Sequence, residues 1–155
     1  MNIMNETFLS KKGFKDLKKE ISRLENEEKY LTAELREIGR AKSRDDHLHR
    51  SDIIMNLENT QSKLRDKRNA LKSAKPLPRK RDKLRVAIGS VVDLVDQQGR
   101  LFRYTIVDSL EANPLDGRIS IESPLGKSLV GSKPSQTVSW QAGINQRKLQ
   151  LVNIS

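Results

Sequence analysis

From Phe14 to Ile38 apolar residues recur at alternating steps of three and four: Phe14, Leu17, Ile21, Leu24, Leu31, Leu35 and Ile38, with Glu28 as the one polar member. The pattern resumes at Ile54, Leu57, Gln61, Leu64, Arg68 and Leu71. Each run predicts a helix with one apolar stripe, and two such helices joined by a short polar segment bury their stripes by folding back on each other. The segment between them, 41–52, has no stripe and carries Asp45, Asp46, His47 and His49. An antiparallel coiled-coil hairpin with its chemistry at the tip is therefore expected. Ser10 is placed to cap the first helix. If that helix runs to about Lys42, it is roughly 50 Å long at the usual rise per residue. The second stripe is weaker, and its polar members are expected to pair with Glu28 or to reach solvent.

The composition fits a thin helical element attached to a small domain: of the 155 residues, 35% are hydrophobic and 32% charged. The net charge of +10 is uneven, because residues 1–83 hold 22 Lys and Arg against 14 Asp and Glu, and residues 84–155 hold 8 against 6. A positive field of this kind attracts polyanions, so nucleic acid or a nucleoprotein machine is the expected class of partner. Cysteine is absent, which excludes disulfides and thiolate metal sites. No apolar run is long enough to span a bilayer and no signal-peptide pattern follows Met1, so no membrane association and a cytoplasmic location are expected.

The hairpin is assigned to residues 1–74. Residues 75–83, Lys-Pro-Leu-Pro-Arg-Lys-Arg-Asp-Lys, stop the helix with two prolines and read as a basic linker, with nucleic-acid contact as the other use of such a run. From 84 to 155 the period changes to two. Strands are expected over 90–95, 101–107, 118–122, 137–140 and 147–153, with turns at 97–100, 115–117 and 142–145. Ser123 as cap and Pro124 in the first turn mark a short helix over 123–130. The fold class is α+β: a helical hairpin followed by a small antiparallel β domain with one short helix. The β domain contains no histidine near Ser123 or Ser128 and reads as a binding module without a catalytic arrangement. Trp140 and Phe102 lie on strand patterns and are expected in its core.

The order of these parts, with Leu9-Ser-Lys-Lys-Gly-Phe-Lys-Asp-Leu17 at the entry, Ile88-Gly-Ser-Val-Val92 and Tyr104-Thr-Ile-Val107 in the β domain, and above all Ile119-Ser-Ile-Glu-Ser-Pro-Leu-Gly-Lys-Ser-Leu-Val-Gly131, closely resembles the bacterial Gre transcript-cleavage factors. The resemblance implies an FKBP-like second domain that docks on the rim of the RNA polymerase secondary channel through Glu122, Ser123 and Pro124. It implies a monomer without enzymatic activity of its own. The hairpin would enter the channel and help the polymerase to hydrolyse the 3′ end of backtracked RNA, its tip acids holding a Mg²⁺ shared with the polymerase and no cofactor of its own. Arg36, Arg40, Lys42, Arg44 and Arg50 would face the phosphates of the nascent RNA 3′ end.

The tip departs from the family pattern Gly-Asp-x-x-Glu-Asn-Ala-Glu-Tyr. In the closest register Ser43 stands at the first acid and Asp46 at the second; the other register puts Arg44 and His47 there. Neither keeps both acids, so the remaining candidates are the adjacent Asp45 and Asp46 acting together on a flexible loop, with Ser43 and His47 as neighbours. This departure bears on cleavage and not on polymerase binding, and it opens a second reading, a channel regulator that does not stimulate cleavage. A third is a basic coiled-coil protein that binds DNA or RNA directly. Asp45, Asp46, His47 and His49 also offer ligands for a transition metal, although without a further anchored residue the spacing alone does not define a site.

Overall fold

The structure is a computed structural model of the chain, and it describes residues 6–79 and 82–155. Residues 80 and 81, in the expected basic linker, lie outside the described residues. Two compact units are present, one formed by Phe14–Ala74 and the other by Met1–Gly13 together with Lys75–Ser155.

In the helical unit, α1 (Lys11–Ile38) and α2 (Arg44–Ser73) run antiparallel. Ser10 caps α1 as its sequence suggests, its Oγ accepting from the Gly13 amide at 3.0 Å. The helix ends earlier than expected, because Gly39 takes the left-handed conformation (φ 58°) and its amide closes on the Arg36 carbonyl at 3.2 Å. Leu17, Ile21, Leu24 and Leu31 are buried on α1, as the stripe requires. On α2 the expected stripe moves back by one residue at two of its members, while Leu64 is buried as expected. Ile53 is 3% exposed and Ile54 36%, and Thr60 rather than Gln61 is buried before Leu64.

Polar groups bridge this seam where aliphatic ones are missing. Thr60 Oγ1 donates to Glu27 at 3.1 Å, and Gln61 Nε2 donates to Glu28 at 3.0 Å, so the pairing expected for Glu28 is present. Arg68 donates to Glu25 at 2.7 Å. On the solvent side of α1, Arg23 forks onto Glu20 and reaches Glu27. These hydrogen bonds hold the Glu20 carboxyl below its ordinary value. Such exposed pairs add little to stability.

The β unit is built on five strands: β3 (Val91–Val95), β4 (Leu101–Val107), β5 (Arg118–Ser120), β6 (Thr137–Ala142) and β7 (Asn145–Ile154), in the order β5-β4-β3-β7-β6. All five expected strands are found, but the sheet is mixed and not wholly antiparallel, because β5 pairs with β4 in parallel. The cause is the connection. Two 3-10 turns, Ser109–Glu111 and Pro114–Asp116, carry the chain back alongside the end of β4, so that β5 begins opposite Thr105 and no tight hairpin joins the two strands. Helix α3 (Pro124–Leu129) follows β5, with Ser123 as its cap and Pro124 in its first turn.

Val92, Leu94, Ile106, Leu129, Val138, Leu149, Leu151 and Ile154 enclose the core, with Val86 beside them. On the other face of β3, Asp93 is buried between its neighbours across the sheet, taking a fork from Arg103 of β4 (2.7 and 3.2 Å) and a hydrogen bond from Asn153 of β7. Arg103 above all holds the Asp93 carboxyl below its ordinary range.

Parts of the segments expected as hairpin entry and basic linker pair as strands on this unit. β1 (Phe8–Leu9) pairs in parallel with β2 (Lys75–Pro76), and Leu9 is buried. Proline tolerates this place because the two ladder amides of the later segment come from Lys75 and Leu77, which donate to the carbonyls of Thr7 and Leu9.

Candidate functional site: the hairpin tip and the helix-capped edge of the β domain

At the tip, the stretch expected as a flexible loop is largely helical. Only 39–43 separate the helices, and Asp45, Asp46, His47, Leu48, His49 and Arg50 lie in the first two turns of α2. Ser43 and Asp46 form a reciprocal capping box. Ser43 Oγ accepts from the Asp46 amide at 3.1 Å, and Asp46 Oδ2 accepts from the amides of Lys42 and Ser43, each at 3.1 Å. Those hydrogen bonds, Lys42 first and then Ser43, lower the Asp46 carboxyl from its ordinary value. The spacing Ser-x-x-Asp at the head of a helix carried this signal in the sequence.

The other expected tip residues separate into two groups. Arg36 lies in the last turn of α1, Arg40 and Lys42 lie in the connection, and Arg44 opens α2, all four exposed. Arg50 is engaged, donating to the Gly39 carbonyl at 2.8 Å and so closing the turn. His49 faces Glu34 of α1 at 3.7 Å, an ion pair only when the imidazole is protonated.

Asp45, Asp46, His47 and His49 do not form a metal cluster: successive helical positions diverge by about 100°, and among the described residues no three His, Asp or Glu side chains converge as a metal site. The fit of Asp45 and Asp46 as a carboxylate pair for a shared Mg²⁺ is poor for the same reason. They are consecutive on a helix, and one oxygen of Asp46 already takes two backbone amides. Asp45 is exposed and leaves the helix on its own.

On the β domain, Glu122, Ser123 and Pro124 stand together at the start of α3. Ser123 Oγ donates to the Ser120 carbonyl at 2.7 Å and accepts from the Gly126 amide at 3.0 Å, which fixes the turn from β5 into the helix. A Cβ at Gly126 would lie 2.0 Å from the Ser120 carbonyl oxygen, so only glycine lets the helix pass this close to the strand. Glu122 is exposed and accepts from Ser109 at 2.9 Å. Pro124 is exposed beside a cavity of about 400 Å³ lined also by Pro114, Ile119, Leu125, Trp140 and Ala142.

Trp140 and Leu125 also line a second cleft of about 500 Å³, floored by Phe102, Tyr104 and Leu149 and edged by Arg147 and Lys148. Phe102 and Trp140 thus pack on the core, as their strand positions suggest, while one side of each stays open. The rings of Phe102 and Tyr104 stack at 6.3 Å. This cleft was the functional feature missed in the sequence. Its signal is the alternation Phe102, Tyr104, Ile106 on one face of β4, of which the two aromatic residues stay partly uncovered.

The mixed sheet carries a short helix packed against both of its edge strands, β5 and β6, with an apolar cavity and a more polar cleft that share Trp140 and Leu125, an arrangement suited to binding. Residues 81–155 match the family described as transcription elongation factor GreA/GreB, C-terminal. The C-terminal half of this chain is thus a domain of the GreA/GreB family. The chain is 40% identical over 86 residues to transcription elongation factor GreA of Caldanaerobacter subterraneus subsp. tengcongensis, a match covering 54% of this chain and 55% of that protein. It is 43% identical over 70 residues to GreA of Roseiflexus castenholzii, covering 44% and 45%. The matches thus span about half the length of these relatives. Among solved structures, GreA factor homolog 1 (Gfh1) of Thermus thermophilus aligns over 97% of this chain and 99% of its own, at 24% identity and a TM-score of 0.45. No helix among the described residues is long and apolar enough to cross a membrane.

Proposed function

We propose that this chain is a Gre-type regulator of transcription elongation. It binds bacterial RNA polymerase at the rim of the secondary channel through its C-terminal domain and acts in the channel with the hairpin tip, near the nascent RNA 3′ end. The observation that carries the reading is the GreA/GreB family match over residues 81–155, which contains the exposed Glu122–Pro124 turn and the apolar cavity beside it. The matched relatives are named transcription elongation factors. Arg36, Arg40, Lys42 and Arg44 supply charge for RNA phosphates.

For the activity at the tip, the geometry favours a factor that occupies the channel without supplying a metal-binding carboxylate pair. Ser43 stands where the family pattern has an acid, and the acid at the second position, Asp46, is used to cap α2. Stimulation of cleavage is the competing reading, and it would fall to Asp45 with the remaining oxygen of Asp46.

The deciding experiment uses stalled, backtracked complexes of the matching polymerase with Mg²⁺. The expected result is binding without shortened transcripts. Shortened transcripts that disappear in Asp45→Asn/Asp46→Asn, with affinity retained, would restore the cleavage reading. Ser123→Ala and Pro124→Ala are expected to weaken polymerase binding, by about 2 kcal/mol if the turn is a hot spot. Their melting temperatures separate that loss from the loss of the α3 cap. Equal binding to free RNA or DNA in the absence of polymerase would instead favour the direct nucleic-acid reading.

A further inference from the structure

Glu111 ends the 3-10 turn that follows β4, and it is only 9% exposed although charged. Its carboxylate accepts from the Ser10 amide at 2.9 Å and from the Ser10 hydroxyl, while Ser10 Oγ in turn accepts from the Gly13 amide. The first turn of α1 contains no acidic residue and begins with Lys11 and Lys12. The negative charge that favours a helix N-terminus is therefore supplied from a segment about a hundred positions away.

Gly13 makes this approach possible, since a Cβ there would lie 2.4–2.8 Å from the Glu111 carboxyl atoms. The neighbouring strand pair is too short to hold the segment by itself, with two residues in each of β1 and β2. A cavity of about 330 Å³ opens beside the carboxylate between Lys12, Leu77, Thr105 and Arg118. Once released, the carboxylate would have room for water and the Arg118 cation beside Asp116 in the same cavity, so it would not be stranded in an apolar core.

We propose that Glu111 is the keeper of a latch: its buried carboxylate fastens residues 6–13 to the β unit, and breaking it frees that segment while the helical seam from Leu17 onward stays formed. The latch is a conformational device at the root of α1, built from Glu111, Ser10 and Gly13.

The test is amide hydrogen exchange on the full chain, with no polymerase present. In Glu111→Gln and in Ser10→Ala, amides of residues 8–13 and of Lys75 and Leu77 are expected to exchange about tenfold faster or more, as befits loss of a charge-assisted bond. Those of Val92, Leu94, Ile106 and Leu151 should stay as protected as in the parent. Gly13→Ala keeps both hydrogen-bonding partners but drives a methyl into the carboxylate, and it should produce the same local release. The Ser10→Ala/Glu111→Gln pair should be no faster there than the more affected single variant, because the two groups act as one unit. Unchanged exchange over residues 8–13 in both single variants overturns the latch. So does uniform acceleration across the sheet, or a double variant whose effects simply add.

Discussion

The helical unit and the β unit bury their chains by different means. Along α1 and α2 the buried positions are spaced single residues, and where the apolar spacing lapses, Thr60 and Gln61 reach across to Glu27 and Glu28. In the β unit, by contrast, residues from four strands and α3 enclose one continuous apolar cluster, and the buried acid Asp93 lies on the opposite side of β3 with its partners supplied by the adjacent strands. A two-helix seam offers each side chain one facing partner and much solvent, so polar bridges there cost little and contribute little. A closed core offers no such latitude, since each lost methyl leaves a void. The seam of the hairpin thus tolerates polar members that the core of the sheet does not.

The largest effect expected from this contrast is in the sheet. Leu94→Ala, at a fully buried position, should cost about 2–5 kcal/mol and lower the melting temperature of the β unit. A loss under about 1 kcal/mol would mean that the core is not close-packed. The helical register is tested by a pair of variants. Ile53→Ala should cost about 2–4 kcal/mol, whereas Ile54→Ala one position on should cost less than half as much, read from helical ellipticity during urea unfolding. The reverse order would restore the stripe expected from sequence.

Ser43→Ala removes one half of the capping box and should cost about 1 kcal/mol, with faster amide exchange confined to the first turn of α2. The smallest effect is that of acid. Asp46 and Asp93 both have folded values below the ordinary carboxylate value of about 3.9. Their contributions are present above that value and are lost as the pH falls through the depressed folded values. Asp46→Asn and Asp93→Asn should each flatten the fall of the melting temperature with acid. An unchanged acid limb in both would remove the assigned hydrogen bonds as its cause.

Much of this architecture was legible in advance because it rests on local spacing. The stripe of α1, all five strands, the Ser123 cap and the proline after it are each written within a few residues of one another. Less legible was the phase of α2. Ile53 and Ile54 are adjacent and equally apolar, so the choice between them depends on which one meets α1 across the hairpin. At the tip, the adjacent acids and histidines suggest a ligand-bearing loop, while the Ser43 and Asp46 spacing is a capping signal of equal standing, and it is the cap that forms. The parallel strand β5 was hidden because the direction of a pair depends on the path of the connection, not on the strand's own residues.

By itself, then, the sequence determined a two-helix hairpin, a period-two domain of five strands around one short helix, and the motif that the family match over residues 81–155 bears out. Only the tertiary structure decided that Asp46 turns back to cap its own helix, that Trp140 lines both an apolar cavity and a more polar cleft, and that Glu111 meets Ser10 from a hundred residues away. Periodicity and capping act between neighbours along the chain, where the sequence records them. The direction in which a carboxylate points, and what it meets, is fixed by segments that become neighbours only on folding.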